Sequence, residues 1–172
     1  KITGVELSQR SADVVLPHFP ATCPDCGATL VKDEEEAKKF CPNQAGCPTQ
    51  IKGRLVHFLS RKAMNVIAGD ATIEQLYNKS LVWNISDFYE LTSELLLTLD
   101  GWKEKSAERF LKSLEESKKV PFERVLYALG IRHVGETTAK SLAKHFGNID
   151  ALISASREEL LLVDDIGEII AD

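Results

Sequence analysis

Gly130-Ile131-Arg132-His133-Val134-Gly135-Glu136-Thr137-Thr138-Ala139 is the stretch on which the fold turns. The apolar run Val125-Leu126-Tyr127-Ala128-Leu129 enters it with helical character, and Gly130 ends that run because glycine reaches φ > 0 without a Cβ clash. A second helix is expected to start near Gly135, with Ala139, Leu142, Ala143 and Phe146 at i, i+3, i+4, i+7 as its apolar face. The unit is helix, tight hairpin, helix. Glycine and small polar residues open the second helix, so its free N–H groups carry partial positive charge without a bulky side chain over them. Such a start suits an anion such as a phosphate.

The chain repeats this unit. Val134-Gly135-Glu136-Thr137-Thr138-Ala139 aligns with Trp102-Lys103-Glu104-Lys105-Ser106-Ala107, with Ile166-Gly167-Glu168-Ile169-Ile170-Ala171 and loosely with Ala68-Gly69-Asp70-Ala71-Thr72-Ile73. In chain order the copies lie 34, 32 and 32 residues apart. A fixed period of that size marks a supersecondary unit that buries its face against a neighbouring copy. Four hairpins side by side can hold successive phosphates on both strands of a duplex, which positions a protein on DNA without reading its sequence.

Composition sets the bounds. The chain has 172 residues, enough for one domain or a small module beside a larger one. No apolar run approaches the length of a membrane span, and the start, Lys1-Ile2-Thr3-Gly4, has neither a signal-peptide pattern nor an initiator Met. A cytoplasmic location with no membrane partner is expected. The chain reads as an excerpt of a longer protein, stopping at Asp172 inside the fourth repeat. The net charge of −5 argues at first against nucleic acid, but residues 150–172 alone hold one Arg and seven Asp or Glu, a net of −6. The remaining residues therefore carry −5 minus −6, or +1, with basic clusters at Lys52, Arg54, Arg61, Lys62 and at Lys103, Lys105, Arg109, Lys112.

All four cysteines fall in residues 23–47, as Cys23, Cys26, Cys41 and Cys47 in the spacing C-x2-C-x14-C-x5-C. The first pair forms a knuckle whose Gly27 lets the backbone curl toward sulfur. Two pairs give the tetrahedral thiolate set that Zn²⁺ takes, with no open position, so a structural zinc is expected. The alternative is two disulfides. Asp33-Glu34-Glu35-Glu36 reads as a solvated finger tip. Before the finger, Ile2-Thr3-Gly4-Val5-Glu6-Leu7 and Val14-Val15-Leu16 read as short strands or a flexible arm.

After the finger nearly everything is helical. Residues 48–67 are predicted as mostly helix, with Ile51, Leu55, Phe58 and Leu59 as a stripe that Ala63, Val66 and Ile67 extend. His57 is taken as a packing residue. Ile73, Leu76 and Tyr77 start a helix ending at Asn78-Lys79-Ser80. Ser86 or Asp87 is expected to cap a short helix over Ile85 to Leu91. Ala107, Phe110, Leu111 and Leu114 form a buried face, Pro121 sits in a helix's first turn, and Thr92 and Ser156 begin segments of capping type. The catalytic inventory is thin: there is no Lys-x-Asp-Gly, no Gly-x4-Gly-Lys and no nucleophile-like Ser, His and Asp set. No catalytic residue is expected. His133 reads as a surface loop residue.

A finger of this spacing followed by four such repeats resembles the C-terminal half of bacterial NAD⁺-dependent DNA ligase. Phe19-Pro20-Ala21-Thr22-Cys23-Pro24-Asp25-Cys26-Gly27, Tyr127 to Glu136 and Gly101 to Ala107 are all similar to that family's segments. The resemblance covers nearly the whole chain. It implies a mainly α fold with residues 1–22 as the end of an oligonucleotide-binding (OB) barrel, 23–50 as the four-cysteine zinc finger and 51–172 as the helix-hairpin-helix domain. It implies that the repeats encircle nicked double-stranded DNA from the minor-groove side, working with the adenylation and OB domains of the same chain. In that family NAD⁺ adenylylates a lysine, AMP passes to the 5′-phosphate of the nick, and the 3′-hydroxyl seals it. NAD⁺ and Mg²⁺ would bind outside these residues, so this chain is expected to bind DNA weakly and join nothing alone. The residues expected to meet DNA are Arg54, Gly101, Lys103, Lys105, Ser106, Gly130, Arg132, Gly135, Thr137 and Gly167. Lys103 stands where other hairpins have a second glycine, and the first repeat is short of hairpin residues. The other readings are a stand-alone zinc-finger and hairpin repair module without ligase activity, and a helical protein-interaction scaffold.

Overall fold

The computed structural model describes residues 4, 8, 15, 18–32 and 38–172. The strands expected around Ile2 to Leu7 and Val14 to Leu16, and the acidic tip at residues 33–36, lie outside the described residues or almost entirely so. The finger comes first. Its two-residue strands β1 (Val31–Lys32) and β2 (Lys39–Phe40) pair antiparallel, Val31 opposite Phe40 and Lys32 opposite Lys39. Cys23, Cys41 and Cys47 form its small buried centre, with Ala28 and Leu30 packed on it.

Helix α1 (Pro48–Leu59) starts directly on the last cysteine, because Cys47 is its N-cap and Pro48 occupies the first turn. The helical elements that follow are α2 (Asp70–Asn78), a 3-10 helix (Ile85–Glu90), α3 (Ser93–Leu96), α4 (Glu104–Ser117), α5 (Phe122–Ala128), α6 (Glu136–Phe146), α7 (Ile149–Ser154), α8 (Arg157–Leu161) and α9 (Glu168–Ala171). The hairpin pairs are α1/α2, α3/α4, α5/α6 and α8/α9.

These hairpins divide between two cores. Ile51, Leu55 and Phe58 of α1, Ile73 and Leu76 of α2, Phe88, Leu96 and Leu99, and Phe110 and Leu114 of α4 share one. Leu126, Val134, Ala139, Leu142, Val163 and Ile166 share the other. Each hairpin thus buries its apolar face against its sequence neighbour, as a period near 32 residues requires. α1 also packs on α5, where His57 and Tyr127 meet edge to face, and the His57 Nε2 is 2.7 Å from the Tyr127 carbonyl oxygen.

Two expectations needed correction. α1 stops at Leu59 and does not run to residue 67. Ser60 takes an extended ψ of 156°, and Asn65 adopts a left-handed φ of 55°, so the chain turns back. Ala63 and Val66 are still buried, in the turn, but Ile67 is half exposed. The 3-10 helix is capped by Asn84, not by Ser86 or Asp87. Asp87 lies three residues inside, and its Oδ2 accepts from the N–H groups of Trp83 and Asn84 at 2.7 and 2.8 Å.

Candidate nucleic-acid interface and metal centre

The second helix of every hairpin begins at the aligned position: Gly69, Lys103, Gly135 and Gly167 are the N-caps of α2, α4, α6 and α9. All four caps are extended and solvent-exposed. At Gly69, Gly135 and Gly167 no side chain covers the start, and a Cβ built on each would meet nothing within 4 Å. Their first-turn amides therefore have no capping side chain over them. At Lys103 the hairpin differs, since its N–H donates to Ser106 Oγ at 2.8 Å and that hydroxyl donates to the Lys103 carbonyl at 2.7 Å. Ser106 is thus a cap for its own helix. α9 spans a single described turn, too short to sum much of a helix dipole.

The turns leading to the last three starts share one geometry, whereas before Gly69 the Ala68 N–H donates to the Val66 carbonyl at 3.0 Å. Trp102, Val134 and Ile166 donate to the carbonyls of Leu99, Ile131 and Val163 at 3.3, 3.0 and 3.1 Å. Gly101, His133 and Asp165, two residues before the caps, have φ of 79°, 65° and 66°. This is the left-handed third position of a type II-like turn, which glycine fills without strain. Only Gly101 of the three is glycine. Gly130 has φ of 66° and ends the first helix of its hairpin as the sequence led us to expect, with its Cβ position 3.4 Å from His57 Cδ2; the left-handed place at His133 was not foreseen.

The first two hairpins lie side by side. The Ile67 N–H donates to Ser113 Oγ at 3.1 Å, and Gln75 donates to the Asp100 carbonyl at 3.2 Å. Between them is an open cleft of about 1030 Å³ that brings Gly69, Gly101, Lys105 and Ser106 together with Arg61 and Arg109. Arg54 and Gly130 meet at a second cleft of about 420 Å³ between α1 and the third hairpin. His133 and Gly167 meet at a third, of about 590 Å³, between the third and fourth. Thr137 is exposed in the first turn of α6. Arg132 lies against the finger, its guanidinium carbon 4.9 Å from the centre of the Phe40 ring. Of the basic residues, Lys52 pairs with Glu74 at 2.9 Å, which raises the lysine's pKa and lowers the carboxylate's, and Lys62 pairs with Glu136 at 2.9 Å, which raises Lys62.

The cysteines converge. Their four sulfurs lie within 4.8 Å of one another, with Cys23 to Cys47 at 3.9 Å and Cys26 to Cys41 at 3.5 Å. A disulfide needs about 2.05 Å, so the disulfide alternative does not hold, and all four are free thiols. A tetrahedron with Zn–S bonds of about 2.3 Å has edges of about 3.8 Å, so a zinc ion fits the set. The Ala28 N–H on Cys26 brings that thiol down to about 7, whereas burial pushes Cys41 up to about 12 against the Asn43 N–H. Four thiolates cannot share so small a buried volume without a cation to balance them, and amides aimed at sulfur are what such knuckles supply. The Thr49 hydroxyl donates to Asp25, tying the first knuckle to α1.

Comparison with known proteins agrees with this layout. Residues 22–48 match the NAD-dependent DNA ligase C4 zinc finger domain, and residues 124–172 match the helix-hairpin-helix motif. The chain is 54% identical to a DNA ligase of Parabacteroides distasonis, 48% to one of Christiangramia forsetii and 49% to one of Porphyromonas gingivalis, in each case over 99% of this chain and 26% of the relative. It therefore spans about a quarter of the length of these relatives. With a zinc-fitting cysteine set, repeated hairpins and this identity along its length, the chain is similar to a segment of these DNA ligases, and it carries the C4 zinc finger domain of the NAD-dependent DNA ligases and a helix-hairpin-helix region.

Proposed function

We propose that this chain is the part of an NAD⁺-dependent nick-sealing DNA ligase that holds the duplex. The observation that carries the reading is the row of exposed, uncovered helix starts at Gly69, Gly135 and Gly167, with Lys103 in register. Main-chain amides there, with Gly101, Lys105, Gly130, Thr137, Arg54 and Arg132 around them, meet phosphates and carry no base readout. Cys23, Cys26, Cys41 and Cys47 hold a structural zinc. Residues 23–50 form the finger and 51–172 form the hairpin domain, while the barrel end expected at 1–22 lies for the most part outside the described residues. Adenylation by NAD⁺ with Mg²⁺ belongs to other domains of the longer chain, which works in the cytoplasm in replication and repair. Among the described residues no helix is long and apolar enough to cross a membrane.

A titration of nicked duplex against this chain at two salt concentrations tests the reading. Affinity should fall steeply with salt, because each phosphate contact releases counterions. Binding that ignores salt, or none at all, would instead favour a protein-interaction scaffold.

A further inference from the structure

Each hairpin's second helix starts with an acid: Asp70, Glu104, Glu136 and Glu168 hold the first position of α2, α4, α6 and α9. An acid there favours the helix dipole but opposes a phosphate arriving at the same amides. Among the described residues, Glu136 is the one of the four with an ion-pair partner. That partner, Lys62, comes from the turn of the first hairpin, 74 residues away, and its Nζ lies 2.9 Å from Glu136 Oε2.

The placement of Lys62 is built into the fold. Arg124, on α5 of the third hairpin, donates to three successive carbonyls of the turn: from Nη2 to Arg61 at 2.6 Å, and from Nε to Lys62 at 3.2 Å and to Ala63 at 2.7 Å. The third hairpin's own first helix thus grips the segment whose lysine reaches its second helix. Both members of the pair are mostly exposed, at 70% and 65%, so the contact adds little to stability and acts mainly on the local field.

We propose that Lys62 neutralises Glu136, and that this pairing, held in place by Arg124, makes the third hairpin the strongest phosphate site of the four. The inference rests on the duplex-holding reading above and adds an electrostatic positioning residue, Lys62, that acts through Glu136.

The test is a double-mutant cycle read as affinity for nicked duplex, with wild type, Lys62→Ala, Glu136→Gln and the double variant titrated at one low salt concentration. Lys62→Ala should weaken binding roughly three- to tenfold, the size expected of an uncompensated charge near a phosphate at the protein surface. Glu136→Gln should bind at least as tightly as wild type. The double variant should recover to within about twofold of wild type, a roughly three- to tenfold coupling that lies within the range residues in contact show. That recovery also shows the fold is intact. If the double variant is as weak as Lys62→Ala, the lysine touches DNA directly and the proposal is overturned; an unchanged Lys62→Ala overturns it as well. Wild-type binding that is indifferent to salt would instead defeat the underlying reading, an outcome visible before any variant is compared.

Discussion

The guanidinium of Arg132 lies 4.9 Å from the centre of the Phe40 ring, joining the third hairpin's loop to the second strand of the finger. The cysteine knuckles and the hairpins are therefore connected in two ways. The chain runs from Cys47 straight into α1, and this stack reaches across to the loop before Gly135. A metal site that does no chemistry can set where a phosphate-binding loop stands.

Phe40→Ala should weaken that link without removing the metal ligands. A surface cation–π contact is worth about 0.5–1 kcal/mol, so the loss in global stability should be of that order. The sharper readout is hydrogen exchange at the amides of residues 131–135, which should quicken in the variant. Unchanged exchange there would mean the stack does not restrain the loop.

Cys26→Ser should do far more. With one thiolate gone the site keeps three ligands, and the short strands Val31–Lys32 and Lys39–Phe40 cannot hold a fold alone. Metal binding and folding of such a site are coupled. The expected result is loss of bound zinc by metal analysis, with the helices retained by circular dichroism. Full zinc content in the variant would contradict the ligand set.

Much of this architecture was legible in the sequence because its causes are local. A 32-residue repeat, four cysteines in knuckle spacing and 3.6-period stripes such as Ala107, Phe110, Leu114 each follow from neighbours in the chain. What stayed hidden was non-local or conformational. The Lys62–Glu136 and Arg132–Phe40 contacts join residues from different units, and no spacing rule links them. The acids Asp70, Glu104, Glu136 and Glu168 occupy the first positions of α2, α4, α6 and α9, and only the fold shows that Glu136 meets a lysine. The end of α1 was missed because apolar residues of the turn, Ala63 and Val66, continue a helical rhythm while packing into the same core.

Asp87 gives a pH prediction. The N–H groups of Trp83 and, secondarily, Asn84 hold its carboxyl below the ordinary range. A depressed acid stabilises the fold above its unfolded pKa, about 3.9, and that contribution fades as pH falls through the lower folded value. Asp87→Asn keeps the shape but weakens both bonds. It should cost about 1 kcal/mol near neutral pH, as loss of a helix-start acceptor does, and the gap from wild type should narrow in acid. A gap that stays constant down to strongly acidic pH would show that the carboxylate charge contributes nothing.

Gly135 and Gly101 should separate binding from folding. Gly135 has φ of −82° and open space where a Cβ would go, so Gly135→Val can fold. Its added methyls would stand in front of the α6 amides. Losing charge-assisted bonds to one phosphate should weaken duplex binding about tenfold or more, with little change in melting temperature. Gly101 has φ of 79°, so Gly101→Val forces a β-branched residue into the left-handed region and should lower stability by about 1–2 kcal/mol. Equal losses of stability and affinity in Gly135→Val would mean the glycine serves the turn and not the ligand.

His133 occupies in the third hairpin the left-handed place that Gly101 fills in the second, with φ of 65°. Histidine tolerates this region better than most side chains but still strains there. His133→Gly should relieve the strain, offset in part by the greater freedom of glycine in the unfolded chain, leaving stability within about 1 kcal/mol of wild type. His133→Val should be clearly worse, because its branched Cβ crowds the same backbone. Since His133 is exposed and no core contact is lost in either change, the order Gly above Val in denaturant midpoint isolates the backbone term. The reverse order would show that the loop abandons the left-handed turn, and with it the common geometry that aligns the helix starts at Lys103, Gly135 and Gly167.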